Sequence, residues 1–589
     1  MRRLLGRLHG SYRRISGLSI STTFRRTRSD KTTRAEEKND PAMPATRSRW
    51  RRVLAGVATA LAAVLVFLAL STPNNISRLP EGSNTAEAFI RIPIEALLGI
   101  AVLLALPARW SRVTAAIGGS VLGLLTLVKV IDMGFFAALA RPFNPVLDWV
   151  LLDDGINFLG DSIGRTGARL AVAGAALLLL LVPVVMAWAV MRLTRFAERH
   201  RPAASQAVLF AGVAWIVCAL LGTHYVSTVF VASDSAVTLA RETVLKVPEG
   251  IRDKRQFAAE AAVDKFRDTP AQQLLTGLRG KDVVFTFIES YGRSAVEDPD
   301  YATQVDALLG TGTAELKAAG YGSRSAWLTS PTAGGGSWLA HSTFQSGLWI
   351  NNEQRYRTLV SSDRRTLTSA FSRGDWRTVA IEPGLTYAWP EGEFYGYDRI
   401  YGQQALNYHG PRFSWATMPD QFTLQAFEKL ERSKPDRPPL MAELTFVSSH
   451  TPWAPVPDLI DWDAIGDGSI YGPMTAGDPG ATEVWKDEKR IRAAYCQSIE
   501  YSLGSLISYV QKYGDKNLVL VFLGDHQPSP IITGTNASRD VPITVVAKDR
   551  SVLDKVGAWG WVDGLKPGPL APVSRMDAFR DQFFTTFSK

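Results

Sequence analysis

Five apolar runs crowd the first 222 residues of this 589-residue chain, at about 53–70, 89–106, 113–136, 169–191 and 206–222. Each is near the length a helix needs to cross a bilayer. In lipid every backbone polar group must find its partner inside the protein, so such runs commit this part of the chain to helices. Five spans is the simplest reading. Beyond residue 223 an ordinary soluble mixture follows, so the 46% hydrophobic content averages two unlike parts. The expected partition is a basic cytoplasmic tail at 1–52, a transmembrane domain at 53–232, a helical connector at 233–280 and a soluble domain at 281–589.

The net charge of +9 is concentrated at the start. Residues 1–52 hold 15 Lys/Arg against 4 Asp/Glu, so they carry +11 and the remainder −2. A basic stretch abutting an apolar helix reads as cytosolic retention and attraction to anionic headgroups; no nucleic-acid recognition motif accompanies it. Arg47, Arg49, Arg51 and Arg52 precede the first run. Arg109 and Arg112 join the second and third, and Arg192, Arg195, Arg199 and Arg201 join the fourth and fifth. These belong on one side. The connections at 71–87 and 137–168 are poorer in basic residues, and the second carries Asp148, Asp153, Asp154 and Asp161. With the N-terminus inside and an odd number of spans, everything after residue 223 is expected outside the cytoplasm of a bacterial-type cell membrane. The first 52 residues contain no apolar stretch of a cleavable leader, which makes the first span an expected uncleaved anchor. The two cysteines, Cys218 in an apolar run and Cys496 in the soluble part, exclude a disulfide framework and a Cys-rich metal site.

Two pairs of charges lie in or beside the second and third runs: Arg91 with Glu95, and Lys129 with Asp132. Their spacing lets each pair neutralise itself on one helix face; a headgroup-binding cluster is the functional alternative. The 234–279 connector shows amphipathic spacing that Pro248 and Pro270 are expected to break.

From Lys281 onward, short apolar β-rich runs alternate with helical stretches: DVVFTFIES, TVAIEPG, PLMAELTFVSSH, NLVLVFLGDHQP and VPITVVAK, with a long helical pattern over 487–513. That rhythm predicts an α/β domain with a mostly parallel sheet, whose ligand sites gather beyond the carboxyl ends of the strands. Three runs end at Glu289, at His450 and at Asp525-His526. Carboxylates with an imidazole suit one divalent ion such as Mn, Mg or Zn, which can activate a hydroxyl. The best hydroxyl is Ser337, after Thr332-Ala333-Gly334-Gly335-Gly336 and at the start of a helical pattern. Glycines permit close approach there, and helix N–H groups favour a phosphate. A serine in that place is also an ordinary helix cap.

Taken together, FIESYGRS, TAGGGSWLAHSTFQSG, FVSSHTPW and LVFLGDHQP, in this order over 281–548, resemble the lipoteichoic acid synthase and phosphoglycerol or phosphoethanolamine transferase family. This family is part of the sulfatase-like branch of the alkaline phosphatase superfamily. The resemblance implies that Glu289, Ser337, Asp525 and His526 bind one metal, Mn first among the choices. It further implies that Ser337 is the nucleophile and that His450 faces the substrate. It extends to Trp389 in YAWPEGEFYGYD as a headgroup contact. Here the sequence departs: Glu391 stands where an Arg is usual, Ser337 replaces the usual Thr, and His341 stands where a Glu is common. His341 is a further candidate substrate contact. The implied reaction moves a phosphoglycerol-type headgroup from phosphatidylglycerol or phosphatidylethanolamine to an extracytoplasmic glycan or glycolipid, through a phospho-Ser intermediate. Hydrolysis by the same fold and a silent membrane scaffold are the rivals. SKPDR, beginning at Ser433, matches a sulfatase signature but sits in a polar loop outside the nucleophile segment.

Overall fold

The computed structural model describes residues 45–588 apart from 75, 77–78, 80–84, 149–150, 227–228 and 478. The tail at 1–44 and the side chains of Asp153, Asp154 and Asp161 lie outside the described residues. The chain divides into two compact units, Met1–Ala58 and Thr59–Lys589. The described part of the first is the opening of helix α1 (Ala45–Ser71). The second holds the rest of α1 and every other described element.

Among the described residues, four helices are long and apolar enough to cross a membrane: Trp50–Ser71 in α1, α3 (Ala108–Leu139), Gly164–Arg199 within α4 (Leu151–Arg199), and α5 (Arg201–Leu221). The remaining expected span is α2 (Ile94–Ala105), whose 12 residues rise only about 18 Å. Even so, α2 connects the two ends of α5. Glu95, at its start, accepts from the N–H groups of Ala236 and Val237 (2.8 and 3.0 Å), beyond the end of α5. At its other end Leu104 O accepts from Arg201 Nη2 at 2.7 Å, where α5 begins. The missing length is extended chain: Ile92–Pro93 pairs in parallel with Ala232–Ser233, and Pro107 stops α2. Helices α3 and α4 cross closely at Gly119 and Gly123. A Cβ there would lie 2.6 Å from the Cα atoms of Ala187 and Pro183 respectively.

The intramembrane charges do not neutralise each other in pairs as expected. Lys129 Nζ donates to Ala69 O (3.1 Å) and Thr72 O (2.8 Å), capping the end of α1; Asp132 Oδ1 accepts from Phe143 N (2.8 Å). Arg91 Nε donates to Phe230 O (3.1 Å), and Glu95 holds the start of the helix Ser235–Ala262. Helix ends leave backbone groups unpaired, and in lipid these side chains are the available partners.

Helix α6 (Ser235–Ala262) runs straight through Pro248, contrary to the expected break. Tertiary fastening overrides the lost hydrogen bond. Lys246 donates to Phe143 O (2.6 Å), Asp253 pairs with Arg355, and Phe257 and Ala261 join an apolar cluster with Leu339, Ile350 and Leu359.

The soluble domain is built on a nine-stranded sheet: β1 (Asp282–Ile288), β2 (Gly322–Thr329), β3 (Arg377–Glu382), β4 (Arg399–Gly402), β5 (Leu440–Phe446), β6 (Leu518–Gly524), β7 (Asp540–Ala547), β8 (Val562–Asp563) and β9 (Val573–Arg575). The order is β8-β2-β7-β6-β1-β5-β3-β4, with β9 also pairing β2. The five strands β6-β1-β5-β3-β4 are parallel; β7 is antiparallel to both neighbours. Apolar clusters fill both faces, which is why β1 and β6 read as unbroken apolar runs. Helices α7 (Pro299–Ala318), α8 (Ser337–Ser346) and α9 (Glu488–Tyr513) cover them. Helix α9 starts where the sequence pattern does, with the Asp487 side chain accepting from Lys489 N.

Candidate active site

Neighbouring parallel strands β6, β1 and β5 end on the same edge, and the first polar groups past their apolar runs emerge together there. Glu289 follows β1, Asp525 and His526 follow β6, and His450 lies four residues past β5. Ser290 turns the chain directly after Glu289 with φ 56°. Its N–H donates to Asp525 Oδ1 (2.8 Å), its hydroxyl donates to Glu289 Oε1 (3.0 Å), and Tyr495 of α9 donates to its carbonyl (3.0 Å). One residue thus orients two carboxylates. Ser449 donates to Glu289 O (2.6 Å), joining the loop after β5 to the same point.

The hydroxyl arrives from the other side. Gly334, Gly335 and Gly336 have φ of 74°, 153° and 79°, a path that side chains rarely allow, and Gly334 N donates to Gln527 O at 2.8 Å. That loop sets Ser337 at the first position of α8. Its Oγ donates to Glu289 Oε2 at 2.9 Å and lies 3.3 Å from His526 Nε2. Each of Glu289, Asp525 and His526 offers a ligand atom within 4.8 Å of the others, and all three are buried.

The donor set fits one divalent cation. His526 Nδ1 lies 2.9 Å from Gln527 O; assigned as the donor, it leaves the Nε2 lone pair facing Glu289 Oε1 (3.3 Å). Asp525 Oδ1 is committed to Ser290 N and His526 N, leaving Oδ2 for a ligand. Burial and the charge of Glu289 push the Asp525 carboxyl up. Burial alone would raise Glu289, but the charge of His526 and its hydrogen bond hold this carboxylate below the usual range. The two carboxylates raise His526 against the effect of burial. Two buried carboxylates around one imidazole make a cage whose charge a cation neutralises.

His450 stacks on Trp415, ring centroids 3.6 Å apart and 14° from parallel, and its Nδ1 lies 2.5 Å from Thr451 O. Burial lowers its pKa, so the ring is neutral near pH 7. His341, one turn past Ser337 on α8, stacks on Phe287 at 3.8 Å and sets Nδ1 3.0 Å from Glu443 Oε1. Glu443 also accepts from Tyr397 (2.8 Å) and Gln345. Burial raises the neighbouring Glu382 to about 7. The His341 Nε2 is buried without a hydrogen-bond partner among the described residues.

The structure therefore brings Glu289, Ser337, Asp525 and His526 into one cluster with His450 beside it, and puts His341 on a polar layer next to it. Trp389 is differently engaged: its indole donates to Tyr356 (3.3 Å) and packs on Tyr395. Trp415, not singled out in the sequence, is the tryptophan against His450. Glu443 and Glu382 were also missed; their signal is an acidic residue inside the apolar strands LMAELTF and RTVAIE. The SKPDR segment lies at the opposite edge of the sheet, where Arg437 pairs with Asp282 at the start of β1.

No family model and no curated protein matches the chain. Among solved structures, the lipoteichoic acid synthase LtaP from Listeria monocytogenes is similar at 14% identity and a TM-score of 0.35, over 56% of this chain and 76% of that one. The phosphoglycerol transferase GacH of Streptococcus pyogenes, in complex with sn-glycerol-1-phosphate, is similar at 12% identity and a TM-score of 0.36, over 57% and 82%. The C-terminal periplasmic domain of EptC from Escherichia coli, in complex with Zn, is similar at 14% identity and a TM-score of 0.32, over 47% and 76%.

Proposed function

We propose that this chain is a membrane-anchored transferase that moves a phosphoglycerol-type headgroup from a phospholipid to an extracytoplasmic glycan or glycolipid. The observation that carries the reading is the Ser337 hydroxyl, held at 2.9 Å by Glu289 beside Asp525 and His526 on the sheet edge. A divalent ion held by Glu289, Ser337, Asp525 and His526, Mn first and Mg or Zn as alternatives, would acidify that hydroxyl and offset charge on phosphoryl oxygens. Glu289 Oε2 holds the Ser337 proton and aims the lone pairs of Oγ at the incoming phosphorus. Oγ forms the new P–O bond as the bond to the diacylglycerol oxygen breaks; the proton given up by Ser337 passes to that oxygen, and diacylglycerol leaves as the neutral alcohol. The phosphoseryl ester then passes its headgroup to a glycan hydroxyl, or to water in hydrolysis. With Nδ1 turned to Thr451 O, neutral His450 presents an unprotonated Nε2 suited to take the proton of that hydroxyl in the second step. Trp415 gives the neighbourhood of His450 an aromatic wall, and Trp389 remains the headgroup contact that the resemblance implies. His341 acts on the same helix as Ser337, as a positioning residue supported by Glu443.

In this reading the N-terminus is cytoplasmic and the α/β domain lies outside. The basic residues at the start of α3 and between α4 and α5 share one side, and α2 supplies the return crossing that this requires. The test is diacylglycerol release from fluorescent phosphatidylglycerol by the full-length protein with Mn. Release that vanishes on chelation and in Ser337→Ala is the expected result. A well-folded protein active only on phosphatidylethanolamine would change the donor. Full biological function retained by both Ser337→Ala and Asp525→Ala would replace the enzyme with a scaffold.

A further inference from the structure

The tip of membrane helix α3 is packed against the loop that carries Ser337. A Cβ on Gly334 would lie 1.9 Å from Ala138 O, and one on Gly335 would lie 3.2 Å from Leu139 Cδ2. Helix α3 also packs against the single turn Pro530–Thr533, just past His526. Both loops of the site therefore meet the end of a transmembrane helix.

Two guanidinium groups mark this junction. Arg539, half-buried, donates to Pro331 O (3.0 Å) at the base of the glycine loop, and its carbonyl accepts from Ser330 N (2.9 Å). No carboxylate pairs with it among the described residues. Its neighbour Asp540 is committed to Arg293 (3.0 Å) and to the Thr329 hydroxyl (2.8 Å). Arg141, just past the end of α3, is bound through both terminal nitrogens to Asp148 (2.8 Å each) and lies over the Phe135 ring. Burial, and with it the Arg141 charge, holds the Arg539 pKa below the ordinary arginine value. Asp148 balances Arg141, so Arg539 is the surplus cation. Lower on α3, a mostly apolar groove of about 380 Å³ between α1, α3 and α4 is lined by Leu65, Val130, Met133, Val182 and Met186, with Lys129 also on its wall. A cation beside the helix end with apolar space below matches a lipid: headgroup above, chain beneath.

We propose that Arg539, with Arg141 behind it, is a subsite for the phosphate of a net-anionic membrane lipid where α3 leaves the bilayer. It is separate from the Glu289, Asp525 and His526 cluster, and it rests on the transferase reading only for its biological use. The guanidinium donors fit phosphate oxygens, and the position selects a phosphate carried by a bilayer over one in solution.

The test uses the full-length Ser337→Ala protein, which cannot turn over lipid, in phosphatidylcholine bilayers doped with spin-labelled phosphatidylglycerol or spin-labelled phosphatidylcholine. Failure of the transfer reading would leave this binding measurement intact. Arg539→Gln is expected to cut the preference for phosphatidylglycerol about tenfold, the weight of a hydrogen bond to a charged group. Arg539→Lys should recover most of it, and Arg490→Gln, an equal charge change at an exposed site on α9, should leave it unchanged. Thermal unfolding confirms that each variant is folded. Unaltered selectivity in Arg539→Gln, or equal loss in Arg490→Gln, would overturn the proposal. So would release of the labelled lipid by millimolar inorganic phosphate at matched ionic strength, which would make this a free-anion site.

Discussion

Asp420 shows how a carboxylate away from the proposed nucleophile supports the site. Buried at the start of the helix Asp420–Phe427, it accepts from Val447 N (2.9 Å), Ser448 N (3.1 Å) and the Ser502 hydroxyl (2.6 Å), and so holds the turn leading to His450. Burial raises its pKa to about 6, a cost of about 3 kcal/mol at neutral pH relative to the usual 3.8. Between those values the folded state binds more protons than the unfolded one, so stability falls as pH rises. Asn can serve the same network without the charge. Asp420→Asn is therefore expected to gain on the wild type as pH rises from about 4 to 6; denaturant melts across that range would show a flat difference if the carboxyl were not buried and protonated. At this scale the sequence was legible where a polar residue ends an apolar strand, as Glu289, Asp525 and His526 do. It was illegible where function depends on strand order: Trp415 meets His450, and His341 meets Glu443, across separations that no local pattern encodes.

Among the elements, the glycine loop and α3 depend on one another. Gly334 combines φ 74° with a carbonyl where its Cβ would stand, so Gly334→Ala meets both strain and overlap. It is expected to lower kcat/KM at least tenfold for a lipid and for a soluble diester alike. Gly310, on the exposed face of α7 with open space around it, is the control: Gly310→Ala should stabilise by about 0.5–1 kcal/mol without kinetic effect. Normal activity in Gly334→Ala would mean that the α3 tip does not hold the loop. The same dependence explains which elements the sequence revealed. The strands of the parallel sheet and α9 carry their own apolar pattern or cap. The short α2 and the unbroken α6 do not, because hydrogen bonds from distant chain set their limits: Arg201 to Leu104, and Lys246 to Phe143.

For the whole molecule, the bundle and the α/β domain form one working surface. Lys129, Asp132 and Glu95 fasten the ends of the membrane helices, α6 joins bundle to domain, and the tip of α3 closes against the loops that carry Ser337 and His526. Under the proposed transfer reaction, a site in this position would take a headgroup that never leaves the bilayer and offer it to an acceptor on the water side. In the proposed reaction Ser337 takes that headgroup covalently. The direct measurement is peptide mass spectrometry of the full-length protein after brief mixing with phosphatidylglycerol, without acceptor, with and without divalent metal. A metal-dependent glycerophosphate ester on Ser337, absent in Asp525→Ala, is the predicted result; release of diacylglycerol with Ser337 unmodified at every time point, or an adduct on another residue, would contradict it.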